Sequence, residues 1–121
     1  MIDNLLNSSL AVIERIGRIN STPFTFIQAD IRDINHVKAI CKANQFDVVV
    51  HFAGLKSVSE SHNGPLDYYD NNVVGTLNIL KVMQACKIKK IIFSSSATVY
   101  GDLCAAAYTE LHSTHPMSPY G

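Results

Sequence analysis

The feature that most constrains the fold of this chain is a continuous apolar run from Asp47 to Gly54 (DVVVHFAG), in which apolar and polar residues do not alternate. This pattern is typical of a strand in a parallel sheet whose two faces are both covered by helices. We therefore expect a strand that is buried on both faces and ended by its glycine. Because parallel strands are joined by crossover connections, the flanking sequence should alternate strands and helices.

The sequence before this run predicts one further strand and two helices. The stretch from Phe24 to Ile31 is rich in β-forming residues, and Asp33 can cap a following helix that ends near Asn44. Upstream, Ser8 and Ser9 can cap an amphipathic helix. In the first helix, the apolar residues Leu10, Val12, Ile13 and Ile16 are predicted to be buried. In the second helix, the apolar residues are Val37, Ile40 and Cys41.

The sequence after the run continues the alternation. A polar stretch extends to Gly64, Pro65 begins a long helix that reaches about Ile88, and Lys89 to Phe93 supplies the last strand. From Asp102 onward the sequence is typical of a loop. The order of elements predicts an α/β fold, a partial doubly wound parallel sheet of about three strands with flanking helices.

Length and charge exclude several classes of protein. With 121 residues the chain can form one small domain, so we expect residues 1–121 to be a single domain with no second one. Lys+Arg and Asp+Glu balance at 10 each, which argues against a nucleic-acid partner. No apolar run approaches the roughly 20 residues of a membrane span, and the chain begins without a basic signal region. We expect a cytoplasmic protein with no membrane partner.

The cysteines and histidines do not predict a metal site. Cys41, Cys86 and Cys104 are odd in number and contain no Cys-x-x-Cys pair, so we interpret them as reduced thiols. His112 and His115 lie on a loop with too little spacing specificity for a metal centre. His51, alone in an apolar run, is expected to be a packed neutral imidazole.

Two segments carry the chemistry. The first, Ser94 to Gly101 (SSSATVYG), follows the last apolar strand and places hydroxyls where a parallel strand leaves the sheet, which is where open α/β sheets hold their sites. The second, Ser118 to Gly121 (SPYG), offers the phenol of Tyr120 as a candidate general base.

These segments resemble the extended short-chain dehydrogenase/reductase family and, within it, the UDP-glucose 4-epimerases. Together with further matching segments, they extend the resemblance over nearly the whole chain. The further segments are Asp3 to Ser8, Ala29 to Ile31, His51 to Lys56, and Tyr68 to Asn72 with Gly75 and Thr76. The resemblance implies that residues 1–121 form a partial Rossmann-like NAD-binding domain, and it implies a UDP-sugar substrate and a homodimeric parent enzyme.

The resemblance also assigns roles to individual residues. Ser96 and Tyr120 match the catalytic serine and tyrosine. The implied cofactor-binding residues are Asp3, Asn4, Asn7, Ser8, Asp30, Ile31, Phe52, Ala53, Gly54, Lys56, Asn71, Ser96 and Tyr120.

Each of these roles has a structural alternative. Asp3, whose carboxylate would bind the adenosine ribose and favour NAD over NADP, could instead cap a helix or lie in a frayed terminus. Asp30, which would border the adenine, could start a turn. Lys56 could be a solvated lysine at a strand end, and Asp70 and Asn72 could be solvent-exposed. The aromatic residues Tyr68, Tyr69 and Phe93 are interpreted as packing residues.

The resemblance further predicts that the chain is an internal fragment. No glycine-rich phosphate-binding motif is present, and the lysine of Tyr-x-x-x-Lys would follow Gly121. The absence of an acid in Ser94 to Gly101 favours an epimerase over a sugar-nucleotide dehydratase. We expect an NAD-dependent UDP-hexose 4-epimerase that acts through a 4-keto intermediate and is inactive as this chain alone. The alternatives are a non-catalytic truncated chain and a family member that acts on another nucleotide sugar.

Overall fold

The computed structural model describes residues 1–102 and 107–121, so Cys104 lies outside the described part. Four short strands form two parallel pairs. Strand β1 (Ile2–Asp3) pairs with β2 (Ile27–Gln28), and β3 (Val49–His51) pairs with β4 (Ile91–Phe93). The α/β class with parallel strands is confirmed, with four strands in two pairs where about three had been expected.

Helix α2 (Ile34–Ala43) has the predicted ends. The Asp33 carboxylate accepts hydrogen bonds from the backbone N–H groups of Asn35 and His36, at 3.1 and 3.0 Å, and Asn44 is the C-terminal cap. Val37 and Ile40 are buried, and Val37 belongs to the core cluster that α2 shares with helix α5 (Gly75–Ala85). This packing makes α2 the better anchored of the first two helices.

Helix α1 (Leu10–Ile19) forms as predicted, but its predicted burial is wrong. None of its residues is buried: Leu10 is 56% exposed, Val12 is exposed, and Ile13 and Ile16 are only half-buried. Ser9 occupies the N-cap position without a side-chain hydrogen bond. The reason is that the apolar face of α1 has no element covering it within the described residues.

The predicted burial of the central strand on both faces is also wrong. Only His51 is buried in β3, while Val48 and Val50 are exposed, Val50 at 48%. Both valines line a cleft of about 610 Å³, whose lining also includes Ile2 and Ile27 of the other strand pair. The strands are accordingly shorter than predicted, since β2 covers only two residues of the stretch from Phe24 to Ile31.

His51 is packed as expected. Its Nε2 lies 2.8 Å from Thr76 Oγ1, its ring contacts Phe93, and burial lowers the pKa of the imidazole. The neutral form is therefore favoured at this position.

The helical stretch that follows β3 is longer and less regular than predicted. The polar stretch before Gly64 forms helix α3 (Val58–Asn63), with Ser57 as its N-cap. Helix α4 (Pro65–Tyr68) begins at the predicted proline and continues through a π-helical segment (Tyr69–Val74) into α5. After β4, a 3₁₀ turn (Ala97–Tyr100) is the last helical element of the described residues.

The core lies between α2 and α5. It contains Ile31, Val37, Ile79, Val82, Met83 and Ile88, with Cys41 and Cys86 packed against it as free thiols. Gly75 permits this packing, because a Cβ there would lie 2.5 Å from Ile31 Cδ1. The buried Asn78 amide donates to the carbonyls of Ile31 and Arg32, at 3.2 and 3.0 Å, and so fixes the turn that follows β2.

Candidate cofactor and active site

A polar cavity of about 410 Å³ lies at the carboxyl ends of β1, β2 and β3. Ten of the predicted cofactor-binding residues line it, and they come from four separate parts of the chain. They are Asp3, Asn4, Asn7, Ser8, Ile31, Phe52, Ala53, Gly54, Lys56 and Asn71. The residues Ile2, Leu6, Ala29 and Leu55 complete the lining. The carboxyl ends of parallel strands lie at the same edge of the fold, which explains why segments distant in sequence converge on this cavity.

The loop after β1 is shaped by its own side chains. Asp3 Oδ1 accepts a hydrogen bond from the Leu5 N–H at 2.7 Å, and Asn4 Oδ1 accepts one from the Leu6 N–H at 3.0 Å. Leu5 adopts a φ of 59°, a left-handed conformation that is uncommon for residues other than glycine. These two turns hold Asp3 and Asn4 at the cavity wall and leave the second Asp3 oxygen without a partner among the described residues.

Asp30 does not line the cavity, in contrast to Ile31 beside it. Its carboxylate accepts from the Arg32 guanidinium at 2.8 and 3.0 Å, from the Arg32 N–H at 2.8 Å and from Asn4 Nδ2 at 3.0 Å. The Arg32 guanidinium holds the pKa of Asp30 well below its usual range, with burial opposing and the Asn4 amide adding to this effect. Arg32 also reaches Asp70 at 3.2 Å. In this conformation Asp30 acts as a turn residue anchored to Arg32 and Asn4.

The loop after β3 is held by Asn72, whose role the sequence interpretation missed. The Asn72 side chain accepts from the Leu55 N–H at 2.8 Å and donates to the Leu55 carbonyl at 2.9 Å. The Asn71 amide donates to Asn72 Oδ1 at 2.8 Å. The alternative of a solvent-exposed Asn72 is therefore wrong, whereas Asp70 is exposed. The run of three polar residues inside a helix was the available signal.

Ser96 and Tyr120 lie outside the cavity lining. Ser96 caps the 3₁₀ turn, and its Oγ accepts from the Thr98 N–H at 3.2 Å and from Thr98 Oγ1 at 2.9 Å. Gly121 lies so close to this turn that a Cβ on it would be 2.8 Å from the Thr98 carbonyl oxygen. The structure thus packs the segment that carries Tyr120 against the turn that Ser96 begins.

Gly101 makes this arrangement possible. Its φ is 72°, and any Cβ would collide with the His115 carbonyl oxygen. Only glycine fits a backbone position with positive φ and no space for a side chain.

No group of three or more His, Cys, Asp or Glu residues in the described part of the chain is placed to hold a metal ion. None of the helices in residues 1–102 and 107–121 combines the length and apolar character that a membrane crossing requires.

Comparison with known proteins agrees with this geometry. The family model described as GDP-mannose 4,6 dehydratase matches residues 1–121. A UDP-glucose 4-epimerase of Yersinia pestis is 48% identical over 122 residues, which is 100% of this chain and 36% of the relative. A UDP-glucose 4-epimerase of Klebsiella pneumoniae is 46% identical over 110 residues, covering 91% of this chain and 79% of the relative.

The solved structures give the same result. The UDP-glucose 4-epimerase from Bifidobacterium longum in complex with NAD+ and UDP superposes with a TM-score of 0.93 at 45% identity, over 98% of this chain and 36% of that one. The chain therefore belongs to the family described as GDP-mannose 4,6 dehydratase, and within it to the group of UDP-glucose 4-epimerases that it matches along its length. The chain spans 36% of the length of the Yersinia pestis relative.

Proposed function

We propose that residues 1–121 form part of the NAD-binding domain of a UDP-hexose 4-epimerase, which interconverts UDP-glucose and UDP-galactose. The observation that carries this proposal is the convergence of Asp3, Ile31, Lys56 and Asn71 on one polar cavity, although 68 positions separate the first from the last. The similarity to an epimerase in complex with NAD+ and UDP supports it.

The donor and acceptor groups of the cavity fit NAD. The free oxygen of Asp3 can accept from a ribose hydroxyl, and its charge would repel the 2′-phosphate of NADP. Lys56, whose ammonium group has no partner among the described residues, supplies a cation for phosphate oxygens. Ala53 and Gly54 allow close approach to the backbone.

Ser96 and Tyr120 are the proposed acid–base pair. Tyr120, as the phenolate, would take the proton from the 4-hydroxyl of the sugar, and Ser96 would hydrogen-bond the same oxygen. NAD, when bound, would accept hydride from C4 of the sugar and return it, so that the reaction would leave no net redox change. Ser96 Oγ already accepts two hydrogen bonds, which leaves its own proton available for the sugar oxygen.

The residues around Ser96 favour an epimerase, although the matching family model is described as a dehydratase. Expulsion of water by a dehydratase needs a general acid next to the catalytic serine or threonine. The segment Ser94 to Gly101 contains no acidic residue. We therefore propose epimerisation rather than dehydration for the enzyme to whose NAD-binding domain residues 1–121 contribute.

Binding of NAD and NADP to the 121-residue chain tests the cofactor assignment. Isothermal titration should show at least about tenfold tighter binding of NAD, a difference of about 1.4 kcal/mol. The variant Asp3→Asn, which removes the charge but keeps the shape, should lose this preference. The exposed Asp47→Asn is the matched control and should retain it. Tighter binding of NADP, or binding of neither nucleotide, would contradict the proposal.

A further inference from the structure

The backbone on both sides of Lys56 is held by side chains from one helical stretch. Asn72 makes two hydrogen bonds to Leu55, at 2.8 and 2.9 Å, and the Tyr68 hydroxyl accepts from the Ser57 N–H at 3.0 Å. The Lys56 side chain itself has no hydrogen bond or ion pair among the described residues. The backbone is therefore anchored on one side of Lys56 by Asn72 and on the other side by Tyr68.

Tyr68 has a second contact on the opposite side. Its ring packs against the ring of Tyr120 in an edge geometry, with ring centroids 6.3 Å apart and an interplanar angle of 72°. Tyr68 is only 3% exposed, and its hydroxyl also donates to Glu60 Oε2 at 3.4 Å. One buried side chain thus touches both the loop of the cavity lysine and the proposed acid–base phenol.

The helix geometry explains why these two residues act together. Tyr68 and Asn72 are four residues apart, a spacing that places side chains on the same face of a helix. The contact of Asn71 with Asn72 Oδ1 further restricts the Asn72 amide. Tyr68 and Asn72 therefore contact the loop around Lys56 from the same face of this helical stretch.

We propose that Tyr68 and Asn72 are positioning residues of the cofactor site: both fix the backbone around Lys56, and Tyr68 alone couples this loop to Tyr120. The proposal rests on the function proposed above for Lys56 and Tyr120. A lysine has four rotatable methylenes, so its ammonium group reaches a defined point only if its backbone is fixed. Sequence patterns classify Tyr68 as a packing residue, whereas in the structure its hydroxyl also bonds to Ser57 and Glu60 and its ring contacts Tyr120.

Three substitutions separate the hydroxyl contacts of Tyr68 from its ring contact and from the contacts of Asn72. Tyr68→Phe removes the hydroxyl and keeps the ring, Tyr68→Leu removes both, and Asn72→Ala removes the support of Leu55. The neighbouring Tyr69→Phe, at a residue that is 52% exposed, and the exposed Asn63→Ala are the matched controls.

The measurements are amide hydrogen exchange, the NMR signals of the Tyr120 ring and NAD affinity in the 121-residue chain. Asn72→Ala should accelerate exchange at Leu55, and Tyr68→Phe should accelerate it at Ser57. Each should weaken NAD binding by at least about tenfold, because each leaves at least one backbone group of the loop without its hydrogen bond. Only Tyr68→Leu should also shift the Tyr120 ring signals, and the controls should change nothing.

The exchange rate of the core residue Val82 distinguishes positioning from general destabilisation. If Val82 accelerates together with Leu55 and Ser57, the two residues have only a structural role and the proposal is wrong. Unchanged exchange at Leu55 in Asn72→Ala, or at Ser57 in Tyr68→Phe, would equally overturn it. Should the unsubstituted chain bind no NAD, the proposed function fails, and the exchange and ring signals still decide the positioning role.

Discussion

Helices α1 and α2 are both ten residues long and amphipathic, yet they differ in burial and in capping. Helix α2 buries Val37 and Ile40, with Val37 in the core cluster shared with α5, and is capped by the Asp33 side chain. Helix α1 buries no residue, and its N-cap serine makes no side-chain hydrogen bond. The comparison teaches that an apolar stripe indicates which face of a helix can pack, whereas burial depends on whether another element reaches that face.

The same difference extends to stability. An isolated helix of ten residues is marginal in water, and most helical stability in proteins comes from tertiary packing. Substitutions of the same chemical type should therefore cost much more in the region of α2 and α5 than in α1. Three matched pairs test this expectation.

The largest difference is expected for two isoleucines. Ile40 in α2 is 6% exposed and Ile19 in α1 is 86% exposed. Ile40→Ala should lower the free energy of unfolding by about 2–5 kcal/mol, because it removes buried methyl groups and leaves a cavity. Ile19→Ala should change it by less than about 0.5 kcal/mol. Urea unfolding of both variants measures the two values, and similar losses would show that α1 is covered in solution.

Two glycines should give effects of opposite sign. A Cβ at Gly75 would lie 2.5 Å from Ile31 Cδ1, so Gly75→Ala should destabilise the protein by about 1–3 kcal/mol through overpacking. At Gly17 in α1 the nearest atom, Phe24 Cε1, would be 4.0 Å away. Gly17→Ala should therefore stabilise by about 0.4–1 kcal/mol, since alanine favours the helix. Thermal melts of both variants provide the measurement, and a stabilising Gly75→Ala would contradict the close packing of α5.

The smallest difference concerns the two caps. Asp33→Ala removes an acceptor for two backbone N–H groups and should cost about 0.5–2 kcal/mol. Ser9→Ala removes a side chain that makes no capping bond and should cost less than about 0.5 kcal/mol. Chemical denaturation of the two variants checks the order. A larger loss for Ser9→Ala would mean that Ser9 caps α1 in solution.

The parts of the fold that were predictable depend on local signals. The ends of α2 follow from Asp33 and Asn44, and Pro65 begins a helix as expected. Helix α3 was missed, although Ser57 and Glu60 form the spacing of a capping box. Burial of Val48 and Val50 could not be predicted from their own sequence, because it requires a neighbour across the cleft.

The site was predictable at strand ends and unpredictable where side chains compete. Gly54 and Lys56 line the cavity because the strand before them ends at its edge. Asp30 bonds to Arg32 instead of lining the cavity, and no local pattern distinguishes these outcomes. The support of the Lys56 loop by Tyr68 and Asn72 depends on a contact between segments more than ten residues apart.

In the π-helical segment from Tyr69 to Val74, the number of residues affects how helix α4 is placed relative to helix α5. A π-turn contains one residue more than the corresponding α-turn. Deleting one residue here would remove the surplus residue of the π-turn and restore regular helix, with a local change in the direction of the helix axis rather than a full one-residue rotation of α4 relative to α5. This local change would move the Tyr68 hydroxyl relative to Ser57, whereas the core between α2 and α5 contains no residue of the segment and would stay intact. Length variation at this point would therefore alter the alignment of the site without altering the fold, whereas most substitutions in the core would do the reverse.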